Sequence, residues 1–159
     1  MTINREAFRI LGEFLIRPLP PERMFSMDTY ARQPNNERFL LQPNEVVEEA
    51  ECGTVCCAAG HGPLAGLAPL RNEEWQFYVQ RVFFNGVPYA FTVRHMGPTS
   101  PAAVYSWAFD GRWSQFDNTA VSAGHRCLYV AEHGSAPEDW GGYNPFGAYE
   151  YKNFRMPGA

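Results

Sequence analysis

NEEWQFYVQRVFFNGVPYAFTV, residues 72–93, reads either as a helix or as the first half of a β-hairpin. Trp75, Tyr78, Val79 and Val82 fall on one stripe at helical spacing, Asn72 is available as a cap, and Glu73 and Glu74 suit a positive helix end. Against this, seven of the ten residues from Trp75 to Phe84 are aromatic or β-branched. Asn85-Gly86 ahead of Val87-Pro88-Tyr89-Ala90-Phe91-Thr92-Val93 is also a strong hairpin signal. The stripe and the acidic start predict a helix over 73–84, followed by a strand-like or irregular segment. The expected fold is mainly α, with an α+β variant carrying one small hairpin as the alternative.

On the N-terminal side, residues 4–16 place Ala7, Phe8, Ile10, Leu11, Phe14 and Leu15 at helical spacing behind Asn4 as N-cap, and Pro18, Pro20 and Pro21 stop the helix. Pro34, Asn35, Asn36 and Pro43 then break the pattern, so 17–49 reads as a long irregular connection. On the C-terminal side, Ser100-Pro101 opens a short helix to about residue 109, closed by Asp110-Gly111. Asp117-Asn118-Thr119 starts the clearest helix, with Ala120, Val121, Gly124, Cys127, Leu128 and Ala131 expected on one face and His133-Gly134 at its end. After Trp140 comes an irregular tail rich in aromatics: Tyr143, Phe146, Tyr149, Tyr151 and Phe154. No repeat or boundary divides residues 1–159, which are expected to form a single compact helical domain.

Composition narrows the functional classes. Charged residues are 19% of the chain, below the usual quarter or so, and the net charge is −4. Lys and Arg are scattered, with no run that would track a phosphate backbone, so nucleic acid is not an expected partner. No apolar run approaches a membrane span and the first residues lack the layout of a signal peptide, which points to a cytoplasmic protein with no membrane partner. The four cysteines are then expected as thiols.

Three of those cysteines fall in Glu51-Cys52-Gly53-Thr54-Val55-Cys56-Cys57-Ala58-Ala59-Gly60-His61-Gly62-Pro63. Gly53-Thr54 reads as the entrance to about two helical turns over 55–60, and Gly62-Pro63 as their stop. Cys52 would stand at the mouth of that helix, where the positive end lowers a thiol pKa. With His125 or His95 as base, His125 foremost, and Asp117 orienting it, Cys52 would be the nucleophile of a cysteine hydrolase or acyltransferase. The competing reading is packing, since cysteine is a commonly buried residue and Ala58, Ala59 and Gly60 suit a close approach. His61 would cap the C-terminal end of the helix as a cation. His125 and Cys127 project about 200° apart on one helix, which opposes joint metal coordination, and no metal or cofactor is expected.

These motifs together resemble a group of uncharacterised small bacterial and phage proteins. The likeness rests on the Cys-Gly-Thr-x-x-Cys-x-x-Gly-His segment, on Trp75, Tyr78, Arg81 and Phe83, and on Asp117-Asn118-Thr119, and covers roughly residues 50 to 140. It implies a mainly helical domain in a phage or prophage accessory setting, and carries over no activity and no catalytic residues. The function expected first is therefore protein–protein binding in the cytoplasm, with the enzyme of Cys52, His125 and Asp117 as the alternative. The identity of the protein partner and the oligomeric state are not encoded in any motif.

Overall fold

The computed structural model describes residues 2–20, 23–33, 36–48, 54–89, 97–115 and 117–138, with the backbone alone for 36–39. Among these residues the fold is mainly helical with a small sheet. In chain order the elements are α1 (Arg5–Ile16), β1 (Arg23–Phe25), β2 (Ala31–Gln33), β3 (Asn36–Leu40), α2 (Pro43–Glu48), β4 (Thr54–Cys56), α3 (Trp75–Phe83), α4 (Pro101–Phe109) and α5 (Ala120–His133), with 3₁₀ turns at Ala59–His61 and Gly111–Gln115.

Asn4 is the expected cap, and it also sets how two helices meet. Its Oδ1 accepts from the Ala7 N–H at 3.2 Å, while its Nδ2 donates to the Val82 carbonyl at 2.8 Å and its own N–H to the Phe83 carbonyl at 2.9 Å. The positive start of α1 therefore lies against the carbonyl end of α3, and orphan groups of both termini are satisfied together. One turn on, the rings of Phe8, Phe83 and Phe109 meet with centroids 4.9–5.4 Å apart, joining α1, α3 and α4. All three are buried, and each such ring contributes on the order of 2–3 kcal/mol relative to exposure.

Helix α5 lies along α1, the most extensive pairing of elements in the fold. Thr119 caps it by accepting from the Ser122 N–H at 3.2 Å, and Gly134 ends it in the left-handed region at φ 68°. Arg5 of α1 closes the other end, its Nε donating to the Ala131 carbonyl at 2.8 Å and its Nη2 to the Glu132 carbonyl. The buried face of α5 is Ala123, Gly124, Arg126, Cys127 and Val130, whereas Val121 is half exposed. The face expected from sequence is thus rotated, because Arg126 is drawn into the interior and Val121 is turned outward.

The helix expected over 73–84 forms as Trp75–Phe83 with Trp75, Tyr78, Val79 and Val82 buried, and it resolves the helix-or-strand ambiguity there. Asn72 is not its cap. It adopts φ 60° before the helix, and Glu74 stands at the N-cap without a side-chain bond. The hairpin signal serves as the helix stop instead: Asn85 and Gly86 take φ 51° and 83°, and the Val87 N–H closes on the Phe84 carbonyl at 2.9 Å. Residues 90–93 of the expected strand lie outside the described residues. Helix α4 forms as expected, with the Ser100 Oγ accepting from the Ala103 N–H at 3.2 Å and Pro101 at its first position.

The sheet corrects two expectations. Its order is β1-β4-β2-β3, with β1 parallel to β4 (Phe25 opposite Cys56) and β2 antiparallel to both β4 and β3. The connection read as irregular over 17–49 therefore holds three strands and α2. The segment read as a helix over 55–60 is the inner strand β4 followed by a 3₁₀ turn. Strand β4 is buried at all three positions, so it presents no alternation, and three residues are too few to separate a buried strand from a buried helix. After it, the Cys57 N–H reaches the Thr29 carbonyl at 2.9 Å, which commits that donor to the turn leading into β2 rather than to a helical ladder. Gly60 lies hard against the same neighbour, since a Cβ there would fall on the Tyr30 carbonyl oxygen.

Candidate functional site

The segment of cysteines places its side chains in the core. Cys56 and Cys57 are buried, and burial pushes both thiols up to about 12; Cys57 raises Cys56 further with Arg23 opposing, while backbone N–H groups of residues 57, 59 and 60 oppose the rise at Cys57. The Gly60 N–H donates to the Cys57 Sγ at 3.4 Å, too weak a contact to offset desolvation. Cys127 on α5 is buried and also raised to about 12 by burial. At neutral pH such a thiol is a thiolate in roughly one molecule in 10⁵, so these three groups are chemically quiet.

His61 differs from the expected cationic cap. It is fully buried in the 3₁₀ turn, and its Nδ1 lies 2.8 Å from the Cys57 carbonyl, an acceptor only, so the proton sits on Nδ1. Phe25 of β1 stacks on the ring at 5.8 Å and Phe14 of α1 tilts against it at 6.2 Å. Burial brings its pKa down to about 4, the Cys57 carbonyl opposing and the Arg23 charge adding to the fall, so the ring is neutral.

Of the three residues of the expected catalytic set, Cys52 lies outside the described residues, as does His95. The strand at Thr54–Cys56 removes the helix whose positive end was to lower its pKa. His125 is exposed on α5, one residue from each of the buried Arg126 and Gly124. Asp117 is half buried ahead of α5, where its Oδ1 accepts from the Thr119 hydroxyl at 3.3 Å and its Oδ2 faces the Arg126 Nη1 at 3.9 Å. No hydrogen bond or ion pair among the described residues joins Asp117 to His125. Asp117 has the buried Arg126 guanidinium as a charged neighbour.

Two groupings lacked a sequence signal. The Arg126 guanidinium is completely buried, 4.0 Å above the Trp113 ring and facing Asp117, a desolvated cation on an aromatic face. Tyr30, Tyr89 and Tyr105 form the other. The hydroxyls of Tyr30 and Tyr105 are 2.5 Å apart, Tyr89 stacks on Tyr105 at 4.2 Å, and Tyr30 stacks on Trp75 at 5.2 Å. Burial, first of all, raises all three phenols, so they serve as neutral hydrogen-bonding groups. Among the described residues no three or more His, Cys, Asp or Glu side chains are grouped to hold a metal ion, and no helix is long and apolar enough to cross a membrane.

Comparison of the chain with protein-family models, with curated proteins and with solved structures finds no match.

Proposed function

We propose that the protein acts by binding another protein, as a cytoplasmic accessory factor of phage or prophage type, and that its cysteine segment is structural. The observation that carries this reading is the surface built around Glu73. Glu73 accepts from the Leu70 N–H and from the Arg81 guanidinium, which also reaches the Ala68 carbonyl, so the 68–73 turn is tied down along α3. On that fixed unit Leu70 and Phe77 are each 55% exposed. A half-exposed Phe on a rigid helix beside an arginine has the chemistry of an interface anchor, an aromatic whose burial is left to a partner. The quiet thiols and the engagement of Asp117 by Arg126 favour binding over the cysteine hydrolase.

The test is affinity capture from host bacterial extract with the wild-type chain, Phe77→Asp, and Val121→Asp as the control on α5, each first shown to keep its far-UV spectrum. A protein retained by wild type and Val121→Asp and lost with Phe77→Asp supports the reading. Equal capture by all three, or none by any, contradicts it.

A further inference from the structure

His61 carries an unusual combination of features. Its Nδ1–H is bonded to the Cys57 carbonyl, and its Nε2 lone pair is buried with no hydrogen-bond partner among the described residues. Apart from the Cys57 carbonyl at Nδ1, the described groups that act on the ring are apolar rings and a cation. From α1 comes Phe14, from β1 come Phe25 and Arg23, and from the residue after β4 comes the Cys57 carbonyl, already engaged at Nδ1. From α3 the Tyr78 hydroxyl approaches the next residue, Gly62, but donates to the Leu67 carbonyl at 2.7 Å. No carboxylate among the described residues acts on the ring.

We propose that His61 is an acid-sensitive latch: a proton taken up at Nε2 makes an imidazolium with no acceptor for that proton among the described residues, and the corner where α1 meets β1 and β4 opens to hydrate it, uncovering Cys56 and Cys57. The direction follows from linkage. The ring binds its proton less readily closed, at about 4, than in the opened chain, at the ordinary 6.5. The closed corner is therefore fully favoured above 6.5 and loses that advantage as the pH falls toward 4. Between pH 7.5 and 4.5 the open fraction should rise on the order of 50-fold. The carboxylates whose pKa values are lowered, Glu6 and Glu73, protonate below their ordinary 4.5 and so act under this window.

The experiment is mass-resolved labelling of the full chain with 4,4′-dithiodipyridine, which reacts with thiols in acid, at pH 7.5, 6.0 and 4.5, each rate normalised to a free thiol at the same pH. His61→Gln, polar but neutral throughout, is run in parallel, and the ring proton shifts of His61 are followed by NMR in the wild type. The latch predicts that labelling of Cys56 and Cys57 rises tens of fold by pH 4.5 with the far-UV spectrum kept, and less than threefold in His61→Gln. An equal rise in His61→Gln, a flat wild-type profile, or loss of the far-UV spectrum together with labelling overturns it. If His61→Gln does not fold, the wild-type NMR titration decides: a His61 ring that titrates near 6.5 while both thiols stay protected overturns the latch, and one that stays neutral until the thiols are uncovered upholds it.

Discussion

Gly12 of α1 and Gly124 of α5 sit back to back where the two helices cross, so that a methyl group on either would stand 2.9 Å from the other's carbonyl oxygen. The same methyl on Gly12 would meet the Leu128 Cγ at 2.7 Å, and on Gly124 the Ile16 Cγ2 at 2.7 Å. In an unconstrained helix, replacing glycine by alanine stabilises by about 1 kcal/mol. Here the obstacle is backbone, which cannot rotate away, and overpacking of this kind costs about 1–3 kcal/mol. Gly12→Ala and Gly124→Ala should each lower stability by a net of up to about 2 kcal/mol in denaturant titration, and the double variant by less than the sum because the first substitution already separates the helices.

The ion pair that ties the 68–73 turn to α3 has a pH signature. Burial raises the Glu73 carboxyl, but the Arg81 hydrogen bonds, the Leu70 N–H and the Arg81 charge outweigh it, and the net pKa lies below the ordinary 4.5. A depressed carboxyl stabilises the fold above its unfolded value and loses that contribution as the pH falls through the folded one. Arg81 is 39% exposed, so solvent screens part of the attraction. Glu73→Gln should cost about 1 kcal/mol at pH 7, and the difference from wild type should shrink as the pH falls below 4.5, measured by urea unfolding across that range.

Asp117 should prove a stability residue. Its carboxylate faces a guanidinium that has no exposed surface, and removing one member of such a pair leaves a buried charge less well compensated. Asp117→Ala should lower stability by about 2 kcal/mol in the same assay. Arg126→Met, which fills the slot on Trp113 without a charge, should cost less than Arg126→Ala, because the alkyl stem and ring contact are kept.

Helices α1, α4 and α5 were legible because each carried a stop or start whose chemistry is local, whereas the short α2 was missed. Asn4, Ser100-Pro101, Thr119 and Gly134 all act where the sequence placed them. The sheet was not legible, since its strands are three to five residues long and its inner strand is buried throughout, leaving neither length nor alternation. That one misreading carried through to the site. With β4 in place of a helix, the cysteine segment has no positive end to activate a thiol, and His61 is a buried neutral ring in place of a cationic cap. Arg126 could not be found because a charged residue between His125 and Cys127 ordinarily faces water, and the Trp113 ring and Asp117, brought from other parts of the chain, help make its burial tolerable.

The central claim is that the protein binds and does not use its thiols for chemistry. Mass-resolved alkylation of the native full chain with iodoacetamide at pH 7.5 tests it most directly. The account predicts that Cys56, Cys57 and Cys127 stay unmodified until denaturant is added, and that Cys52 reacts no faster than a free thiol. Rapid modification of any of the three, or a Cys52 rate well above that of a free thiol and lowered by His125→Ala, would contradict it and restore the cysteine hydrolase.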